Sequence, residues 1–220
     1  MEPRNEILAV AFDLDGLMVN TEELYTEVCD VLLRRRGKRA TPELLSAMMG
    51  RKNLEALQVL IDWHGLDTTA EELLVENDEI FYSLLDERLD TMPGLLPLLD
   101  SLEKRCIPKA ITTSGRATYV QHVLDQLDLV GRFVFRVTAE DVAAGKPDPE
   151  IYLSAAKKFA VQAAQMAVLE DSDVGCQAGV AAGAVVIAVP SKFNEHHPFE
   201  GAKHIAGSLE EDTVFEILGL

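Results

Sequence analysis

Asp13 and Asp15 flank a single leucine in "AFDLDGLMVNTE", residues 11–22, at the end of an apolar run. Two carboxylates this close repel each other unless a positive charge sits among them. Three other stretches carry groups able to join them: "TTSG" (112–115), with hydroxyls at Thr113 and Ser114; "AAGKPDPEIY" (143–152), with Lys146; and "EDSDVG" (170–175), with Glu170 and Asp171. Clustered carboxylate oxygens suit a hard divalent cation such as Mg²⁺, which keeps some waters and takes a phosphate oxygen. Each residue also has a plainer explanation by itself. An aspartate caps a turn, a hydroxyl caps a helix, and a lysine in a Gly-Lys-Pro loop is solvated. Those explanations do not account for all the groups meeting in one place, so the elements that carry them decide the matter.

Residues 7–12 form a short Val- and Ile-containing apolar run, as expected of a strand buried on both faces. Helical periodicity follows over 22–36, with Leu24, Val28, Val31 and Leu32 on one face and Gly37 as the stop. Thr41-Pro42 opens a second helix with the stripe Leu44, Leu45 and Met48, closed by Gly50. A third helix covers 54–64. Thr69 and Glu72 make a capping box for a fourth, which runs to about residue 90. No strand is expected between 22 and 90.

The pattern changes at "TMPGLLPLLDSL" (91–102). Strands are then expected at 108–113, 133–138, 166–171 and 184–190, and helices at 117–127, 149–159 and 174–182. This alternation predicts an α/β fold: a Rossmann-like parallel sheet covered by helices on both faces, with an all-helical insertion after strand one. The core takes residues 1–16 and 91–220, and the helical cap 17–90. Ligands of open parallel sheets bind beyond the carboxyl ends of the strands. Asp13 and Asp15, Thr113 and Ser114, Lys146, and Glu170 and Asp171 all follow strands, so one sheet edge gathers them.

Composition narrows the partners. The formal charge is −17 over 220 residues. Such a surface repels nucleic acid and anionic membranes, and a site for a phosphorylated metabolite must supply its own positive charge. The three cysteines, Cys29, Cys106 and Cys176, show no disulfide or zinc spacing and read as small buried apolar residues. The stretch "MEPRNE" reads as neither signal peptide nor membrane span, so a cytoplasmic protein is expected. His196 and His197 would point apart on an extended loop and find no metal partner. The methionines and Trp63 read as core or cap packing. Oligomeric state is not legible.

"DLDG", "TTSG", "GKPDPEIY" and "EDSDVG", in this order, resemble the motifs of the haloacid dehalogenase-like hydrolase superfamily. The likeness is to the helical-cap branch that includes β-phosphoglucomutase and small sugar-phosphate phosphatases. The resemblance implies that Asp13 is a nucleophile forming an aspartyl-phosphate. Asp15 would be the general acid and then the base, with its backbone carbonyl toward Mg²⁺. Asp171 would ligate the metal, with Glu170 a direct ligand or a holder of metal-bound water. Thr113 and the Ser114 amide would bind phosphoryl oxygens, and Lys146 would neutralise the nucleophile and the transferring group. A halide leaves unprotonated, whereas an alkoxide needs an acid, so Asp15 favours phosphate-ester chemistry over dehalogenation.

Cap contacts to substrate are expected from Arg51, Lys52 and Asn53, equally readable as a solvated turn, and from Arg116 after strand two. Lys38 and Lys52 lack the setting of a Schiff-base amine, which sets phosphonate hydrolysis aside. The family implies a mutase as the alternative, but Tyr25 stands where its β-phosphoglucomutase pattern has a cap histidine. Asn20, where many relatives have Asp, is expected to alter hinge hydrogen bonding. A phospho-receiver or silent phospho-ligand-binding protein would use similar groups. A receiver, however, lacks the insertion and carries its aspartate after a middle strand.

Overall fold

The computed structural model describes residues 6–48, 53–192 and 194–220. They divide into two compact units. One comprises the described residues up to Asn20 together with Asp90–Leu220, and the other Thr21–Leu89.

The first unit is built on a parallel sheet. Its strands are β1 (Ala9–Phe12), β2 (Lys109–Thr112), β3 (Arg136–Val137), β4 (Met166–Glu170), β5 (Val185–Ala188) and β6 (His204–Ile205), in the order β3-β2-β1-β4-β5-β6. β1 lies centrally: Phe12 registers with Ile111 on one side and Leu169 on the other. All four residues of β1 are buried, because a central strand covered on both faces has no polar side. Small residues on one face (Ala9, Ala11, Ala188) let Tyr152 and Ala155 pack closely against the sheet. These belong to α7 (Glu150–Phe159). Cys176 and Ala178 of α8 (Asp173–Ala181) join the same cluster.

The strand expected over 133–138 is shorter. Val134 and Phe135 still exchange backbone hydrogen bonds with Lys109 and Ile111, but only Arg136–Val137 forms ladder. As an edge strand it pairs on one side only, and Val134 is left 64 % exposed. The sequence reading missed α5 (Leu95–Lys104), whose Leu95, Leu98, Leu99 and Leu102 are buried at helical spacing. Pro97 hid it, yet a proline in the first turn removes no intrahelical hydrogen bond. β6 and the last helix, α9 (Asp212–Leu218), were also missed. α6 (Ala117–Gln126) falls in the expected place.

The second unit is helical: α1 (Thr21–Arg35), α2 (Pro42–Met48), α3 (Asn53–His64) and α4 (Ala70–Arg88). The Thr69–Glu72 capping box is present at the start of α4. α1 packs on α4, where Tyr25 stacks on Phe81 with centroids 4.5 Å apart. Arg35 and Arg36 both bind Glu76 at 2.6 Å. Trp63, read as core or cap packing, is 49 % exposed, so it is half covered within the helical unit rather than in its core. It lies on the outer side of α3, whose buried stripe is Leu57, Leu60 and Ile61. Cys106 corrects its expectation. Cys29 and Cys176 are buried, but Cys106 is exposed, in the left-handed turn that ends α5.

Within the first unit, the chain segments leading to and from the helices are stitched together. Asn20 donates its amide to the Asp90 carbonyl at 3.2 Å, and its Oδ1 accepts the Asp90 amide at 2.9 Å. The Met92 amide donates to the Met18 carbonyl at 2.8 Å. Asn20 thus ties the segment before α1 to the segment after α4.

Gly94 precedes α5 at φ 86, and a Cβ there would lie 2.7 Å from the Glu210 amide nitrogen and 2.8 Å from the Leu209 carbonyl carbon. Both the conformation and the neighbouring backbone exclude a side chain. Gly94→Ala is expected to destabilise the protein by about 1–3 kcal/mol in urea unfolding; an unchanged midpoint would contradict this packing.

Candidate active site

Each strand that borders the site ends in a polar residue or runs directly into one. Asp13 follows β1, and its amide donates to the Leu169 carbonyl at 3.0 Å, which fixes the backbone before the side chain leaves the sheet. Thr113 follows β2 and donates its amide to the Val137 carbonyl at 3.0 Å. Its Oγ1 accepts the Gly115 amide at 2.9 Å and lies 3.5 Å from Asp15 Oδ2. Glu170 ends β4, with Asp171 next to it.

Lys146 comes from the loop before α7. Glu150, in the first turn of that helix, accepts the Ala143 and Ala144 amides at 2.9 and 2.8 Å. Asp148 accepts the Glu150 amide at 3.0 Å. The acidic residues of "GKPDPEIY" therefore hold the loop in place. The Lys146–Pro147 peptide is cis.

The side chains converge. Lys146 Nζ donates to Asp13 Oδ1 at 2.5 Å, to Glu170 Oε1 at 2.5 Å and to the Thr112 carbonyl at 3.1 Å. Asp13, Glu170, Asp171 and Thr113 are all buried. Glu170 also accepts Tyr152 Oη at 2.6 Å, the Ser172 amide at 3.2 Å and Ser172 Oγ at 2.9 Å. Four protein donors thus engage its two oxygens, about as many as a carboxylate accepts. Asn194, buried in the loop after β5, donates its side-chain amide to the Asp171 carbonyl at 2.8 Å and approaches Asp171 Oδ2 at 3.4 Å. Asp15 Oδ1 accepts Tyr119 Oη at 2.5 Å.

The charges do not balance. Burial tends to discharge Lys146, but Asp13 and Glu170 outweigh it and hold the ammonium well above 10.5. Burial, partly offset by Lys146 and reinforced by Glu170 and Asp15, raises the Asp13 carboxyl from 3.8 to about 8. One ammonium among several carboxylates leaves an excess of negative charge in a dry setting. Among the described residues, Asp13, Glu170 and Asp171 form the group whose potential metal-ligand atoms all lie within 4.8 Å of one another. Buried hard-oxygen donors with surplus negative charge fit a divalent cation of the Mg²⁺ type.

The other expected site residues are placed less centrally. Ser114 is exposed in the turn after β2. Arg116 is exposed at the start of α6, where its charge acts on Glu140. Asn53 opens α3 in the helical unit and is exposed. Arg51 and Lys52 lie outside the described residues. His196 and His197 sit in a turn with ring centroids 4.5 Å apart, so the rings do not point apart as an extended loop would place them. Neither belongs to the metal-capable group.

Sequence reasoning missed Tyr119, Tyr152, Ser172 and Asn194. Tyr152 and Ser172 stood inside quoted motifs, where their hydroxyls were available as a signal. Nothing in "KFNEHH" distinguished Asn194 from a surface asparagine.

Residues 10–189 match the family model described as haloacid dehalogenase-like hydrolase. The chain belongs to this family. It is 35 % identical over 215 residues to "(DL)-glycerol-3-phosphatase 1, mitochondrial" of Arabidopsis thaliana, covering 94 % of this chain and 72 % of that protein. It is 34 % identical over 204 residues to hexitol phosphatase A of Escherichia coli, covering 92 % of each. The crystal structure of β-phosphoglucomutase from Clostridium difficile superposes with a TM-score of 0.75 over 97 % of each chain, and at 22 % identity this is a likeness of fold. Among the described residues of this haloacid dehalogenase-like hydrolase, no helix is long and apolar enough to cross a membrane.

Two outcomes follow from the charge and packing of the site. A carboxyl raised in the folded state contributes stability below its unfolded value of 3.8, and that contribution is lost as pH rises through about 8. A divalent cation at this group would require the ionised form, so adding Mg²⁺ is expected to release protons near pH 7. Calorimetric Mg²⁺ titrations in buffers of different ionisation enthalpy read this directly; identical heats would count against it. Separately, a Cβ on Gly175 would fall 1.9 Å from Glu170 Oε1. Gly175→Ala should displace Glu170 and with it Lys146, lowering turnover of 4-nitrophenyl phosphate by roughly 100-fold. Near-normal turnover would show that this contact does not position the lysine.

Proposed function

We propose that this protein is a Mg²⁺-dependent phosphatase that hydrolyses a small phosphate monoester, a polyol or sugar phosphate, through an aspartyl-phosphate on Asp13. The observation that carries the reading is the pairing of two carboxylates with different surroundings. Asp13 is buried against Lys146, while Asp15, two residues on, is held by hydroxyl groups. One is suited to attack, the other to proton transfer.

In the first half-reaction an Asp13 oxygen attacks phosphorus, the P–O bond to the alcohol breaks, and Asp15 gives its proton to the leaving oxygen. In the second, Asp15 takes a proton from water, the water oxygen attacks phosphorus, and the bond to Asp13 breaks, releasing phosphate. Lys146 stays charged beside Asp13 throughout and faces the charge of the transferring group. Thr113 and the Ser114 amide hold phosphoryl oxygens. Asp13, Asp171 and the Asp15 carbonyl would hold Mg²⁺, which supplies charge neutralisation at the phosphoryl oxygens. Glu170, already engaged by Lys146, Tyr152 and Ser172, acts by fixing the lysine beside that metal. The helical unit, with Arg51, Lys52 and Asn53, selects the substrate, and Arg116 supports the phosphate side. A cytoplasmic place of action belongs to the same reading.

The relatives named as glycerol-3-phosphatase and hexitol phosphatase support a polyol phosphate. The fold shared with β-phosphoglucomutase keeps the mutase as the competing outcome. Tyr25 weighs against it, because it stacks on Phe81 within the helical unit and offers no imidazole. The deciding experiment is a panel of glycerol, hexitol and hexose phosphates with Mg²⁺, run beside β-glucose 1-phosphate. Free phosphate is expected, with Asp13→Asn lowering its release by at least about 1,000-fold. Conversion to glucose 6-phosphate without phosphate release would make the protein a mutase, and Asp13→Asn turnover near wild type would remove the covalent route.

A further inference from the structure

Asp15 has a neighbour that none of the sequence motifs names. Tyr119, in the first turn of α6, donates its phenol to Asp15 Oδ1 at 2.5 Å. The other oxygen, Oδ2, faces the Thr113 hydroxyl at 3.5 Å, a longer and weaker contact. The Tyr119 phenol is thus the shorter of these two contacts to Asp15.

A second observation concerns the room made for that ring. A Cβ built on Gly115 would lie 2.9 Å from Tyr119 Cδ1, its nearest neighbour, and 3.3 Å from both Tyr119 Cε1 and Thr113 Oγ1. The tyrosine thus lies over the glycine that ends "TTSG". Gly115 is in turn tied to the site, since its amide donates to Thr113 Oγ1 at 2.9 Å. A bare glycine four residues before the tyrosine lets the ring settle against the loop and point its hydroxyl at Asp15.

We propose that Tyr119 is the positioning residue of the acid/base. It binds Asp15 Oδ1 and sets the carboxyl rotamer from which Asp15 delivers a proton to the leaving alcohol and later accepts one from water. The proposal rests on the phosphatase reading, in which Asp15 is that acid and base. A carboxyl held in this way keeps a fixed direction, whereas an unheld one loses proton-transfer geometry to rotation. Tyr119 contacts no reacting atom in this scheme. Its effect passes wholly through Asp15, and that gives it a signature distinct from simple structural support.

Proton delivery matters for a poor leaving group and little for a good one. The test compares kcat/KM for a simple alkyl phosphate, glycerol 3-phosphate, with that for 4-nitrophenyl phosphate in wild type, Tyr119→Phe, Gly115→Ala and Asp15→Asn. Tyr119→Phe is expected to cut the alkyl ester's kcat/KM by roughly 10- to 100-fold, with a loss at least about tenfold greater than for the nitrophenyl ester. Gly115→Ala, which keeps the hydroxyl but pushes the ring away, should show the same bias. Thermal unfolding of each variant identifies any loss of fold, and the ratio between the two esters is independent of the fraction folded. Equal losses for both esters in Tyr119→Phe, while Asp15→Asn shows the bias, would overturn the proposal and leave the phosphatase reading intact. Equal losses in Asp15→Asn would overturn the acid/base assignment itself.

Discussion

The structure around the site depends on one constraint: a buried ammonium shared by more carboxylates than it can neutralise. Lys146 lies at 2.5 Å from both Asp13 and Glu170, in a setting where each of the three side chains is almost wholly out of water. Breaking such a group by removing one partner strands a charge, and leaving it as it is keeps the Asp13 carboxyl, raised chiefly by burial, at about 8. A divalent cation held by the same carboxylates would relieve that tension.

The rest of the sheet unit serves to hold this arrangement still. Asp13 cannot drift because β1 is hydrogen-bonded to β2 and β4 on both sides. Lys146 cannot swing away because Glu150 clamps two amides of its loop while α7 packs Tyr152 under it. The burial that raises Tyr152 well above 10, together with the Glu170 carboxylate, keeps its phenol a neutral donor. Asn194 plays the matching part for Asp171. These polar contacts lie inside an apolar core whose small residues bring α7 and α8 close to the strand ends.

The helical unit follows a different logic. Its helices are tied to one another by the Tyr25–Phe81 stack and by arginines of α1 that reach Glu76 of α4. Its chain entry and exit are joined within the sheet unit by two hydrogen bonds between Asn20 and Asp90, one backbone to backbone and one to the Asn20 side chain. An insertion with its own packing can change its surface without disturbing the strand ends, which is how one chemical centre serves many phosphate esters.

The sequence by itself determined the alternation of strand and helix, the helical insertion and the residues meeting at the carboxyl ends of the strands. Local patterns carry all of these: apolar runs, the Thr69–Glu72 cap, and charged residues directly after strands. It misread Cys106, because exposure depends on which face of an element finds a partner. It passed over α5, because prolines in a first turn look like loop. Only the tertiary structure decided that Tyr119, Tyr152 and Asn194 belong to the site. Their partners lie 104, 18 and 23 residues away in the chain, at Asp15, Glu170 and Asp171. A tyrosine or asparagine spelled in a sequence gives no sign of which distant carboxylate the fold will bring to it. Hydrogen bonds act over about 3 Å, and only the folded backbone sets distances on that scale.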